Sequence, residues 1–233
     1  MGDLGDSIRL RSPVTELILD RFGSTLQLSI GGLIFALVIG LSTGIIAALR
    51  QNTWIDTTTM MLAYVGVSMP IFWLGLLLIL VFAFPAGLVP AGGWQWTQLA
   101  DPAQHHLGLR VAGVISRLTR SSLIEVMNED YIRTAKAKGL PEWLLVIRHG
   151  LKNALIPVIT MLGLQFGGML AGAVVTETVF SRPGLGRLTV SAILWKDYPL
   201  VQGCVLFLAV VYLLVNLLVD VSYAWIDPPI HYE

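Results

Sequence analysis

Charge is scarce in this chain: 13% of its 233 residues are Asp, Glu, Lys or Arg, about half of the ~25% usual in soluble domains. With a mean hydropathy of +0.74, that shortage argues against a water-soluble enzyme. Neither sign is in surplus, because fifteen Lys and Arg balance fifteen Asp and Glu; bulk charge gives no argument for a nucleic-acid partner. A single cysteine, Cys204, excludes an internal disulfide framework and any Cys-rich metal site. The chain has no Gly-x-x-x-x-Gly-Lys-Ser/Thr phosphate loop, no His-Glu-x-x-His and no intramembrane carboxylate pair, so no catalytic residue, metal site or cofactor site is assigned. Met1 to Asp20 is polar and contains no apolar signal-peptide core.

What the chain has is long uncharged runs. Leu26 to Leu49 and Asn153 to Thr176 each hold 24 residues without a charge, and Met60 to Phe84 holds 25. Val201 to Val219 is equally clean and extends to Ile226 if Asp220 sits near one interface. Each is about long enough to cross a hydrocarbon core as a helix, which takes roughly 20 residues. A fifth span is poorly written: His105 to Ser116 offers about twelve residues, about 18 Å of helix against a ~30 Å core. The expected fold is all-α, a polytopic membrane helix bundle of about five spans.

Basic residues set the expected orientation. Arg117, Arg120, Arg133, Lys136, Lys138, Arg148 and Lys152 fall between positions 117 and 152, whereas Pro85 to His106 holds no Lys or Arg. The positive-inside bias places the first segment in the cytoplasm and the second outside. Arg50, in the turn RQNTWID, marks another cytoplasmic end. Residues 1–24 then form an extracytoplasmic lead-in, and 25–233 the transmembrane domain, with Arg21 and Phe22 at the membrane edge.

Residues 117–152 are too patterned for a plain connector. Leu123, Val126, Met127, Tyr131 and Ala135 fall near helical spacing in LTRSSLIEVMNEDYIRTAKAK. Lys136 and Lys138 followed by Gly139 suit a helix C-terminus closed by a left-handed glycine. Pro141 and Glu142 then open a second helix, EWLLVIRHG, ending at Gly150. An amphipathic hairpin lying on headgroups is one explanation. The sharper one is a docking element: a bend exposing Thr134, Ala135, Ala137 and Gly139 can enter a groove closed to bulkier side chains.

Four ordered motifs carry a family resemblance: DYIRTAKAKGL (Asp130 to Leu140), RHGLKNALIP (Arg148 to Pro157), VFSRPGLGRL (Val179 to Leu188) and DYPLVQG (Asp197 to Gly203). With these, and from GDLG to the Asp227-Pro228 close, the chain resembles permease subunits of ATP-binding-cassette importers in the dipeptide/oligopeptide/nickel branch. The general loop motif of such permeases begins Glu-Ala-Ala. Here Arg133 and Thr134 take the Glu and first Ala places, while Ala135 and Gly139 match, a variation that resembles the peptide branch. Pro229, Ile230 and His231 depart from the basic ending usual in the family.

The resemblance implies a type I importer permease in a bacterial or archaeal cell (inner) membrane, forming half of a pathway for di- or oligopeptides. Nickel chelates or glutathione are the alternative cargo. Implied partners are a second permease subunit, two cytoplasmic ATPase subunits and an extracytoplasmic substrate-binding protein. The coupling element would comprise Asp130, Tyr131, Arg133, Thr134, Ala135, Ala137, Gly139, Leu140, Arg148 and His149. Against the family pattern, a first helix is missing and the third span looks roughly ten residues short between His106 and Leu109, as in an N-terminally truncated product. A secondary transporter is the rival class; it would place several ionisable groups at mid-membrane and show internal repeats, and neither is visible.

The remaining expectations concern single residues. Gly163/Gly167 and Gly168/Gly172 form overlapping Gly-x-x-x-Gly pairs suited to close helix packing. Glu177, at the outer end of the fourth span, is either solvated or part of a substrate path. Adjacent His105 and His106 diverge on a helix and lack a third ligand, so interfacial solvation is expected. FSRPGLGR (Phe180 to Arg187) is a Pro-Gly turn, and Pro157 is expected to kink the fourth span.

Overall fold

The computed structural model describes residues 4–83 and 101–226. Most of the expected external loop and the segment from Asp227 onward lie outside the described residues, as does the side chain of Asp220. Among the described residues the fold is helical, apart from one isolated bridge between Asp6 and Pro13. The helices are α1 (Val14–Leu49), α2 (Trp54–Ser68), α3 (Ile71–Ala83), α4 (Pro102–Met127) and α5 (Asp130–Ala137). They continue with α6 (Glu142–Leu144), a π-helical turn Leu145–Gly150, α7 (Leu151–Ala154), α8 (Ile156–Val179), α9 (Leu185–Leu194) and α10 (Tyr198–Ile226).

Among these, α1, α8 and α10 are each long and apolar enough to cross a membrane, and α2 with α3 makes a fourth if the pair is one broken span. The uncharged run from Met60 to Phe84 is therefore not one straight helix. Pro70 explains the break: its ring removes a backbone donor and clashes with the preceding turn, and it drives Met69 away from helical geometry. Helix α1 also starts earlier than its apolar run, at Val14, so the second half of the expected lead-in is helical.

The third span departs most from expectation. No twelve-residue helix is seen; α4 runs unbroken for 26 residues, roughly 39 Å at the usual rise. Hydropathy misjudges it because α4 is largely covered by protein. His106, Leu107, Val111, Ala112, Ile115, Ser116 and Thr119 are all buried. In contrast, only 28% of the apolar windows of α1 and α8 is buried, and 17% of that of α10. A helix shielded from lipid can carry polar side chains that meet protein partners instead.

The chain divides into two compact units. The first comprises Met1–Ile34, Met69–Gly108 and Phe166–Leu218. Its core gathers Val14, Ile18, Leu185, Ala192, Leu200 and Cys204, with the Phe22 and Phe207 rings edge to face at 5.0 Å. The second comprises Phe35–Ser68, Leu109–Gln165 and Val219–Glu233. There α1 and α4 approach closely because Gly40 and Gly44 have no side chain. A Cβ on Gly40 would lie 2.8 Å from Ile115, and one on Gly44 2.6 Å from the Ser116 carbonyl. Thr43, between them, donates to Ser116 Oγ at 2.9 Å.

Candidate functional site

The segment expected to dock a partner begins where α4 stops. Residues 117–127, expected as part of a cytoplasmic loop, are the last turns of α4. The break falls at Asn128 and Glu129; Asn128 donates its amide to the Ile124 carbonyl at 2.9 Å, and Glu129 is extended. Helix α5 then closes at Gly139 as the sequence predicts. Gly139 has φ +81°, its N–H reaches the Lys136 carbonyl at 3.0 Å, and the Leu140 N–H reaches Ala135 at 3.4 Å. These two bonds form the paired closure that satisfies orphan carbonyls at a helix end and requires the left-handed conformation.

Beyond the turn, the expected α-helix to Gly150 is not formed as such. Pro141 is extended (ψ 148°) and precedes the helix rather than lying in it. Only Glu142–Leu144 is α-helical before the backbone widens into the π turn Leu145–Gly150. Gly150 is buried there, where an added Cβ would meet Met127 Sδ at 3.0 Å and Leu123 Cδ1 at 3.2 Å. Asn153 donates to the Tyr131 hydroxyl at 2.8 Å, tying α7 to α5. The next irregularity lies at Leu155, and Pro157 occupies the first turn of α8, where its missing N–H breaks no helical bond.

The result is a two-helix bend anchored by the buried side chains of Ile132, Leu145 and Val146. Asp130, Tyr131, Arg133, Thr134, Ala137, Gly139 and Arg148 are exposed, and Ala135, Leu140 and His149 are half-buried. Arg133 and Asp130 form an exposed pair at 3.2 Å, which contributes little to stability. Trp143 and Ile147 add exposed apolar surface, at 64% and 60%.

The first unit builds its motif around Glu177. This residue is not solvated: its carboxylate is fully buried. Thr25 donates to Oε1 at 2.5 Å and the Arg187 N–H to Oε2 at 3.1 Å, and the Gly186 N–H is a further donor. Thr25 in turn accepts the Leu185 N–H at 2.8 Å. The carboxylate thus satisfies donors at the start of α9, where negative charge is favoured. A side chain on Gly184 would overlap it, which accounts for the glycine in FSRPGLGR. Arg182 of the same turn binds Asp101, Ser24 and Gln27.

His106 is also misplaced by the sequence reading. It is buried, not solvated, and among the described residues no group of three ligating side chains can hold a metal. Its Nε2–H donates to the Ile71 carbonyl at 2.6 Å, leaving Nδ1 to accept from Thr176 at 3.1 Å. Asp197, in the DYPLVQG motif, anchors the N-terminal segment. Ser7 donates its hydroxyl to it, the Arg9 N–H follows at 3.0 Å, and the Leu200 N–H at 3.4 Å. Burial raises the Asp197 carboxyl, but the Ser7 hydroxyl and backbone donors outweigh it and hold the group below the usual carboxylate range.

The four glycines of α8 divide. Gly163 lies against Val219, and Gly167 lies against Tyr212 and Asn216 of α10, where added Cβ atoms would collide. Gly172 makes ordinary contact distance with Leu107, and Gly168 faces open space. Sequence reasoning missed three features: the Gly40/Gly44 seam, the Asp101–Arg182 pair and the Asp56–Arg120 bridge. In the last, Arg120 Nε meets Asp56 Oδ1 at 2.6 Å and Nη2 meets Oδ2 at 2.7 Å. Asp56 Oδ2 also accepts the Asn52 N–H at 3.0 Å, closing the turn between α1 and α2. A lone acid at the start of one helix and an arginine 64 positions on give no local signal of pairing.

Residues 40–232 match the family described as binding-protein-dependent transport system inner membrane component, and the chain belongs to that family. It is an inner-membrane, multi-pass permease of the ATP-binding-cassette importer class. Similar curated proteins include glutathione transport system permease protein GsiC of Escherichia coli O6:H1 and of Salmonella choleraesuis (strain SC-B67), each 47% identical, and that of Escherichia coli (strain K12), 46% identical. Each alignment covers 100% of this chain and 76% of the relative. An inward-facing structure of the MetNI methionine ABC transporter matches with a TM-score of 0.78 at 18% identity, over 91% of this chain and 97% of that one. An amino acid ABC transporter crystallised with histidines matches at 0.66 and 15% identity, over 90% and 94%. These two likenesses concern the fold.

Proposed function

We propose that the chain forms half of the membrane pathway of a small-peptide importer, with glutathione as its cargo. A second permease, two cytoplasmic ATPases and an extracytoplasmic binding protein complete the assembly. The observation that carries the coupling role is the exposed bend of α5, closed by Gly139, with Thr134 and Ala137 on its open surface. Small side chains there let the bend enter a groove on an ATPase, while Trp143 and Ile147 supply apolar contact. ATP hydrolysis then belongs to the docked subunits, and movement of the bend passes through the π turn into α8. The basic residues from Arg117 to Lys152 support a cytoplasmic position for this element. The docking surface comprises Asp130, Tyr131, Arg133, Thr134, Ala135, Ala137, Gly139, Leu140, Arg148 and His149.

Glutathione is favoured over other peptides by the names of relatives 46–47% identical along the whole chain. Glu177 serves this function indirectly, by fixing the turn before α9. The test is uptake of labelled glutathione and of labelled dialanine into vesicles holding the complete importer. ATP-dependent accumulation of glutathione is expected, at least tenfold faster than that of dialanine at equal low concentration. Faster dialanine uptake would move the cargo to dipeptides, and accumulation of neither would overturn the peptide reading.

A further inference from the structure

The second unit contains a cleft of about 920 Å³ whose wall includes Asp56, Met60, Met61, Tyr64, Arg117 and Met161. Its two arginines are in opposite electrostatic states. Arg120 is neutralised by the two-point bridge to Asp56, whose oxygens are consumed by Arg120 and the Asn52 N–H. Arg117 has no such partner: its Nε is buried without a hydrogen-bond acceptor among the described residues, and its guanidinium lies over the Tyr64 ring at 5.0 Å. Among the described residues the cleft therefore carries one positive charge without a counter-ion, and a charge left unpaired in a partly dry site is costly.

We infer that this cleft is a transient station for the transported peptide, with Arg117 holding its C-terminal carboxylate. The inference rests on the proposed peptide-import function. A guanidinium offers a planar fork that matches a carboxylate at two points, and the Tyr64 face keeps that fork oriented by its attraction for cations. Met60, Met61 and Met161 supply flexible, polarizable lining that adapts to different side chains. One fixed cation beside adaptable apolar walls suits a ligand whose terminal charge is constant and whose side chains vary. It also suits passage, because a single charge contact releases readily when the cleft opens.

The test measures equilibrium binding to the purified permease–ATPase complex without the binding protein, in neutral detergent. The probes are labelled glutathione and glutathione amidated at its C-terminal glycine. Wild type is expected to bind the acid about tenfold more tightly than the amide, equivalent to about 1.4 kcal/mol. Arg117→Gln should bring the acid to the affinity of the amide and leave the amide unchanged, whereas Arg117→Lys should retain part of the preference. A purely structural Arg117 would shift both probes together, and that result would overturn the inference. Equal affinity of wild type for both probes would overturn it too, as would absence of binding. Displacement of both probes alike by added anionic phospholipid would assign Arg117 to a lipid headgroup instead. ATP-driven glutathione uptake that is unchanged by Arg117→Gln would remove the station and leave the function intact. An importer that accumulates no peptide would remove the function itself.

Discussion

Gly139→Val is expected to abolish transport while leaving the assembled complex in the membrane. Gly139 adopts φ +81° with nothing within 4 Å of an added Cβ, so the cost comes from backbone conformation and not from crowding. A left-handed residue with a Cβ costs roughly 1–2 kcal/mol, and a β-branched side chain is among the least tolerant of it. The bend would relieve that strain by opening the two hydrogen bonds from Gly139 and Leu140, which rotates α5 relative to the π turn. Uptake should fall at least tenfold, and substrate should no longer stimulate the ATPase. Gly139→Asn should be milder, because asparagine visits this region more readily. Both variants are compared in reconstituted vesicles with complex yield as the control. Normal uptake by the valine variant would remove the coupling assignment.

Asp56→Ala is expected to damage assembly rather than coupling. Asp56 is 5% exposed and bridges Arg120 at two points while holding the turn at Asn52. Removing the acid strands the arginine charge beside a second one at Arg117, a loss on the order of 3 kcal/mol for a broken buried pair. The yield of purified complex and its thermal midpoint should both fall clearly below wild type. The double variant Asp56→Ala/Arg120→Met should recover much of the loss, since an apolar replacement no longer needs a counter-ion. If the double variant is no better than the single, the bridge acts through something other than charge pairing.

These two sites differ in how much of them the sequence reveals. Gly139 was legible because its signal is local: two lysines, a glycine and a proline within six positions define how a helix ends. The spans α1, α8 and α10 were legible for a similar reason, since each is long and apolar nearly throughout and little of it is buried within the chain. Helix α4 was not, because shielding by protein allows it Gln104, His106, Ser116, Arg117 and Arg120, and hydropathy registers those as interruptions. Pro70 carried a readable warning that the run from Met60 was broken. By contrast, Glu177 and His106 were misread because their burial depends on segments far along the chain, at Thr25 and Ile71. The π turn has no distinct sequence signature here; it follows from packing the buried Gly150 against Leu123 and Met127.

The same contrast applies to close helix packing. Gly163 and Gly167 were recognised by their spacing, and both lie where a side chain would collide with α10. Gly40 and Gly44 have the same spacing and a similarly close approach, to the backbone of α4, yet in a run as small and apolar as LVIGLSTGIIAAL they look like ordinary membrane composition. Spacing marks a face that permits close approach, but only the neighbouring helix determines which face is used.

The central claim, that the α5 bend docks an ATPase, is tested most directly by disulfide cross-linking. Ala137→Cys places a thiol on the exposed surface of the bend, while the native Cys204 is fully buried and remains silent. With single cysteines introduced along the surface groove of the partner ATPase, mild oxidation of the complete importer should join the two subunits at a few adjacent groove positions. The yield should change when ATP is bound, and the cross-linked importer should lose uptake until the bond is reduced. Cross-linking of position 137 to the extracytoplasmic binding protein, or failure to reach the ATPase from any groove position in an importer that transports normally, would contradict the account.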